Sequence, residues 1–293
     1  MTERIHILGI PIDLGQEKRG VNMGPGAIRF AGLASRMKKL GYSVEDHGNI
    51  YVPVRESVKE TEVLDAIHRA CDAVYQKARD FSENGSRVIF LGGDHSIAIG
   101  TIGGVTHHAE RGVIWVDAHG DFNTPETSPS GNVHGMALSV LTGKGESTLV
   151  DIGRPGPKIR PRDTVLIAIR DLDTEERDNL KRSGIQVYTM RDIDEMGMKG
   201  VAQSALKYLS HMPEIHVSLD MDSLDPAVAP GVGTPVAGGI TYREAQLLME
   251  MIADTNRCRS LDIVEINPLI DQRNQTAGSA VDLAGSLFGQ RIL

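Results

Sequence analysis

The chain is short of several things, and each shortage excludes something. Only two of its 293 residues are cysteine, Cys71 and Cys258. That is too few for a disulfide framework, so both are read as free, inert thiols of a reducing cytoplasm. Long apolar runs are missing as well. The N-terminal stretch Ile5 to Ile12 is eight residues long, contains Pro11 and lacks a small-residue cleavage site. It reads as a first strand rather than a signal peptide, and nothing approaches the roughly 20 apolar residues of a membrane span. Positive charge is scarce: the formal net charge is −8 and no basic stripe stands out, which argues against a nucleic-acid partner. No internal repeat, low-complexity tract or Ser/Pro-rich linker divides the chain, so residues 1–293 are expected to form one domain.

What is present is alternation. Apolar, β-branched runs recur at residues 4–10, 42–46, 87–91, 113–117, 163–169, 185–189, 215–219 and 260–266. Between them, residues 27–40, 62–83, 174–183, 199–211, 241–254 and 276–288 repeat with a helical period, with Gly41, Gly85 and Gly184 at C-cap positions. Strands alternating with helices imply a parallel sheet covered on both faces. Pattern alone leaves an open sheet and a closed barrel equally available. In both, ligands collect at the carboxyl ends of the strands. The stretch Gly100-Thr101-Ile102-Gly103-Gly104 lacks nucleotide-binding spacing and is read as close packing late in a helix.

Two segments stand at such ends: Asp117-Ala118-His119-Gly120-Asp121 and Ser218-Leu219-Asp220-Met221-Asp222. In a strand, residues i and i+2 face the same way. Asp117 with His119, and Asp220 with Asp222, can thus each point at one ion-sized volume. His95 follows a third apolar run, Val88 to Asp94. The six candidate ligands are His95, Asp117, His119, Asp121, Asp220 and Asp222, too many for one tetrahedral ion. Four carboxylates are balanced by two divalent cations, and carboxylate-rich ligation favours Mn²⁺ or Mg²⁺ over Zn²⁺. Two Mn²⁺ per chain is the expectation. Any one segment alone would also suit strand-end aspartates that cap helices; the combination carries the inference.

Together with Gly92-Gly93-Asp94-His95-Ser96, Arg19 to Pro25, Gly233 to Gly239 and Ser260 to Pro268, these motifs resemble the ureohydrolase family of arginases and agmatinases, most nearly its bacterial arginases. The resemblance runs end to end, with Asn22 in place of the usual Asp as one departure. It implies a three-layer α/β/α fold with an eight-stranded, mainly parallel sheet. It also implies hydrolysis of L-arginine to L-ornithine and urea, a cytoplasmic location and homo-oligomers, trimers paired as hexamers. The alternative within the family is an agmatinase or guanidino-acid amidinohydrolase. Rivals of a different functional class are an inactive relative kept as a binding or regulatory subunit and a phosphoesterase using the same metals.

By resemblance, His95 and Asp121 complete one ion, His119 and Asp222 the other, and Asp117 and Asp220 touch both. Two ions about 3.5 to 4 Å apart would share a bridging hydroxide, with Asp121 also accepting a hydrogen bond from it. His134, in a polar turn, is the proton carrier that a poor amine leaving group needs. Glu265, expected to end the last strand, would pair with the substrate guanidinium, and Thr234 would line that pocket. Asn123, Ser128 and Ser130 match positions that hold an α-carboxylate, and Asp173 and Glu176 those that face an α-amino group. The seven other histidines, His6, His47, His68, His107, His108, His211 and His216, are read as structural or solvated.

Overall fold

The computed structural model describes residues 3–83 and 85–291. Eight strands form one sheet: β1 (Arg4–Ile10), β2 (Ser43–Asn49), β3 (Arg87–Gly92), β4 (Gly112–Val116), β5 (Thr164–Ile169), β6 (Gln186–Thr189), β7 (Ile215–Asp220) and β8 (Cys258–Val264). Their order is β2-β1-β3-β8-β7-β4-β5-β6 and every pairing is parallel. The central strands are buried on both faces, which is why they are continuous apolar runs. Side-chain alternation divides the core in two. Ile89 and Leu91 face one layer of helices while Val88 and Phe90 face the other.

The first layer comprises α1 (Gly24–Phe30), α2 (Leu33–Lys39), and three later helices. The second is built on α3 (Val63–Ser82), α4 (Ala98–Val105), α5 (Ala137–Leu141) and α6 (Ser147–Val150). The charged helix α7 (Thr174–Ser183) stops at Gly184, left-handed at φ +86°. Next come α8 (Met190–Tyr208), α9 (Tyr242–Asp254) and α10 (Gln275–Leu287), which complete the first layer.

Several boundaries differ from those the periodicity predicts. Residues 27–40 form two helices because Gly32 adopts φ +92° between them. The helix expected from 199 starts at Met190, where Thr189 and Asp192 form a reciprocal capping box, and it kinks at Gly197. Strand β2 runs to Asn49 rather than stopping at 46, because pairing with β1 extends a polar segment that has little strand propensity of its own. Strand β8 ends at Val264, and Glu265 lies one residue beyond it with φ +65°.

Candidate active site

The four central neighbours β3, β8, β7 and β4 each carry one arm of the site on their carboxyl ends. His95 follows β3, Glu265 follows β8, Asp220 ends β7 and Asp117 follows β4. Chain segments more than a hundred residues apart thus meet because their strands are adjacent.

Each turn is held by its own backbone. Asp94 caps the turn that presents His95, accepting the N–H of Ser96 (3.0 Å) and of Gly15 (2.8 Å). Gly93 is required there, since a Cβ would lie 1.7 Å from the Ile12 carbonyl oxygen. Asp117 Oδ1 accepts the N–H of His119 (2.7 Å), and its Oδ2 accepts from Trp115 Nε1 (2.9 Å). Asp220 Oδ1 accepts the Asp222 N–H (2.8 Å), and Asp222 Oδ1 that of Ala118 (3.2 Å). Such contacts fix the free oxygens toward a common volume.

The six expected ligands come together as two clusters. His95, Asp117 and Asp220 converge in one, and Asp117, His119 and Asp222 in the other. Asp121, at φ +48°, joins the first, its carboxylate 3.1 Å from His95 Nδ1. Asp117 belongs to both clusters. Asp220 groups with His95, and its other oxygen accepts the Asp222 N–H.

The chemistry of this donor set fits divalent cations. Three carboxylates, those of Asp117, Asp121 and Asp220, surround His95 Nδ1 at 3.1 Å each, yet that nitrogen makes no well-formed hydrogen bond among the described residues. Three carboxylates and an imidazole converging in this way form a donor set that a divalent cation would satisfy. His95 Nε2 stands 2.9 Å from Ser218 Oγ, so a proton donated there leaves the Nδ1 lone pair free for a metal.

Electrostatics agree. Burial pushes the carboxyls of Asp220, Asp222 and Asp121 upward, each aided by a neighbouring carboxylate, and Asp121 reaches about 6. Asp117 runs the other way: burial is outweighed by hydrogen bonds to the imidazoles of His119 and His95. The site holds an excess of buried negative charge that protein cations do not cancel.

A cleft of about 210 Å³ opens onto the clusters. Its walls include His119, Asp121 and Thr234 beside the clusters, His134, and Asn123, Ser128, Ser130, Asp173 and Glu176. Asn123 is braced at both ends, donating to Asp173 (2.9 Å) and accepting from Thr127 (2.9 Å). Ser128 and Ser130 cap the N–H groups of Gly131 and Asn132. Glu176, in the first turn of α7, accepts the Phe122 N–H (2.8 Å). Burial raises its carboxyl to about 8 despite that bond. Thr234 donates to Asp222 (3.0 Å), tying the cleft floor to a ligand.

Glu265 is buried beside His134, which lines the cleft. Its carboxylate accepts from Gln16 (2.7 Å) and the His95 N–H (3.0 Å), and lies 3.1 Å from His134 Nδ1. Burial alone would lower His134, but the Glu265 carboxylate outweighs it and lifts the imidazole to about 9.

Some residues of the site have no place in the sequence reading. Trp115 stacks on His95 at 4.0 Å and bonds Asp117; Ser218 holds the far nitrogen of His95. Both were open to detection, because each stands two residues before a ligand aspartate on the same strand face. Gln16, by contrast, sits 249 residues from its partner Glu265 and has no local signal. Arg170 is a further case: it donates to the carbonyls of Asp222, Ser223 and Val236, stitching two site loops together.

Comparison with known proteins agrees with this geometry. The model of the family described as "Arginase family" matches residues 3–289. An arginase of Bacillus caldovelox is 48% identical over 296 residues, 99% of each chain. The crystal structure of an arginase from Bacillus cereus superposes with a TM-score of 0.95 at 47% identity, covering 99% of this chain and 100% of that one. A structure of Entamoeba histolytica arginase in complex with L-ornithine superposes with a TM-score of 0.90 at 31% identity, covering 99% of both. Matched over nearly its whole length by family model, sequence and structure alike, the chain belongs to the arginase family.

Proposed function

We propose that this chain is a manganese-dependent arginase, hydrolysing L-arginine to L-ornithine and urea. The observation that carries the reading is the pair of ligand clusters sharing Asp117 at the floor of a cleft whose mouth is lined by neutral amide and hydroxyl groups beside two acids. The relative solved with L-ornithine, an α-amino acid, supports the same substrate class.

His95, Asp117, Asp121 and Asp220 would hold one ion and Asp117, His119 and Asp222 the other, with Asp220 able to serve both. When bound, the two divalent ions supply a water of lowered pKa at neutral pH. The remaining work is done by side chains. Asp121 offers its carboxylate as an acceptor beside the reacting carbon and steadies the tetrahedral arrangement around it. His134, held through Nδ1 by Glu265 and protonated below about pH 9, has Nε2 left to deliver a proton to the departing amine. Glu265 carries a buried negative charge that keeps His134 charged and attracts the guanidinium. Thr234 lines the guanidinium end of the cleft.

At the other end, Asn123, Ser128 and Ser130 would hold the α-carboxylate, and Asp173 and Glu176 the α-ammonium. Agmatine lacks that carboxylate. Binding it would leave those polar groups unpaired, so discrimination against it should be large. Homo-oligomeric assembly and a cytoplasmic location are proposed on kinship alone. Among the described residues no helix is long and apolar enough to cross a membrane.

The test is purified protein with Mn²⁺ offered arginine, agmatine, guanidinobutyrate and guanidinoacetate, scored for urea. Preference for arginine supports the assignment. Preference for agmatine would leave the family and overturn the substrate.

A further inference from the structure

The sheet edge away from the cleft brings together three residues that belong to none of the sequence motifs. Strand β2 pairs with β1 so that His6 stands opposite Glu45, and Glu45 and His47 share a face of β2 by their i, i+2 spacing. The three side chains therefore meet on the α3 side of the sheet. His6 Nδ1 lies 2.9 Å from His47 Nε2, and these two nitrogens lie 3.7 and 4.0 Å from the Glu45 oxygens.

We propose that His6, Glu45 and His47 form a separate divalent-metal site, selective for borderline ions such as Zn²⁺, Co²⁺ or Ni²⁺. The distances favour it. With metal–ligand bonds of about 2.0 to 2.2 Å, donors at a tetrahedral ion stand about 3.3 to 3.6 Å apart; the two nitrogens are 2.9 Å apart, the two Glu45 oxygens approach them at 3.7 and 4.0 Å, and one donor atom from each residue lies within 4.8 Å of the others. One N–H···N bond between the rings would satisfy the imidazoles alone. It would leave the Glu45 carboxylate beyond hydrogen-bonding distance of the nitrogens it approaches, whereas a cation serves all three donors at once.

The surroundings prepare the donors. Phe81, near the end of α3, stacks on His6 at 4.6 Å and packs tilted by 30° against His47 at 4.5 Å, walling off one side. Burial, then the nearby His47, lower the His6 pKa, against the pull of Glu45 and with a small push from Arg4. Metal binds the neutral imidazole. Two imidazoles and one carboxylate prefer ions softer than those suited to the carboxylate-rich catalytic clusters. A bound ion would fasten the polar edge strand β2 to β1. Three protein ligands leave a coordination position for water.

The experiment uses the manganese-loaded protein, dialysed against Zn²⁺ with Mn²⁺ in excess, followed by elemental analysis. Wild type should retain one more Zn²⁺ per chain than either Glu45→Gln or His47→Gln, with urea production the same in all three. Zinc should also raise the thermal midpoint of wild type and not of the variants. Loss of one ligand should weaken zinc by at least the roughly 10 to 100-fold typical of losing an outer-shell partner. Both substituted side chains lie at the solvent-facing edge, and the two variants test the site independently. Equal zinc content in wild type and both variants would overturn the proposal, as would zinc uptake that tracks manganese loss from the catalytic clusters in every protein.

Discussion

The bed of the cleft and its mouth are built differently. The bed stands on the ends of four adjacent central strands, and His95, Asp117, Asp121, Asp220 and Asp222 are each at most 5% exposed. The mouth is a chain of turns between residues 123 and 134, where Ser128 and Ser130 are partly exposed and hydrogen-bond their own loop. The difference teaches where each task sits. Buried carboxylates held by backbone N–H groups cannot move cheaply and suit metal ligation. Surface turns tolerate change, and they suit the choice between substrates that react identically at the guanidinium.

The hardest way to break this division is at the bed. Asp117→Ala, which removes the carboxylate common to both clusters, should abolish urea production and most metal binding together. Elemental analysis finding near-normal metal would show that the clusters are independent and that Asp117 is not shared.

Between bed and mouth stands His134. His134→Asn should lower kcat by about 10² to 10⁴-fold, the usual worth of a positioned general acid, while metal content stays normal. In wild type, kcat should fall as pH rises through about 9, where the imidazole sheds the proton that Glu265 stabilises. Loss of metal in the variant would move His134 into the bed; an unchanged rate would make it a bystander.

At the mouth, Asn123→Ala or Ser130→Ala should cut kcat/KM for arginine by roughly 10 to 150-fold, the loss of one hydrogen bond to a charged group. Any agmatine turnover should be nearly unchanged, since agmatine has no carboxylate for them to hold. If both substrates weaken alike, the loop props the bed rather than reading the substrate.

The smallest effect expected is on stability. Burial raises Glu176 from 4.5 to about 8 in the folded protein. A carboxyl raised on folding contributes stability below its unfolded pKa, and that contribution is lost as pH rises through the folded value. The thermal midpoint should therefore decline between about pH 4.5 and 8, and Glu176→Gln should flatten the decline. Identical slopes for the two proteins would show that bound cations have already returned Glu176 to an ordinary value.

The family motifs and the candidate ligands were legible because their logic is local. An apolar run ends at a strand's carboxyl end, and i, i+2 spacing beyond it brings Asp117 and His119 into one cluster; Asp220 and Asp222, spaced alike, part into different clusters, because a 3-10 turn follows Asp220. Helix limits were less legible wherever a glycine φ or a cap decided them, as at Gly32 and Thr189. What only the tertiary structure decided were the meetings that depend on strand order and register. It set Glu265 against His134, brought Gln16 to Glu265 across 249 residues, and placed His6 opposite Glu45. Periodicity fixes the side to which a residue points, but the neighbour it finds there is chosen by packing among distant segments, which no short stretch of sequence contains.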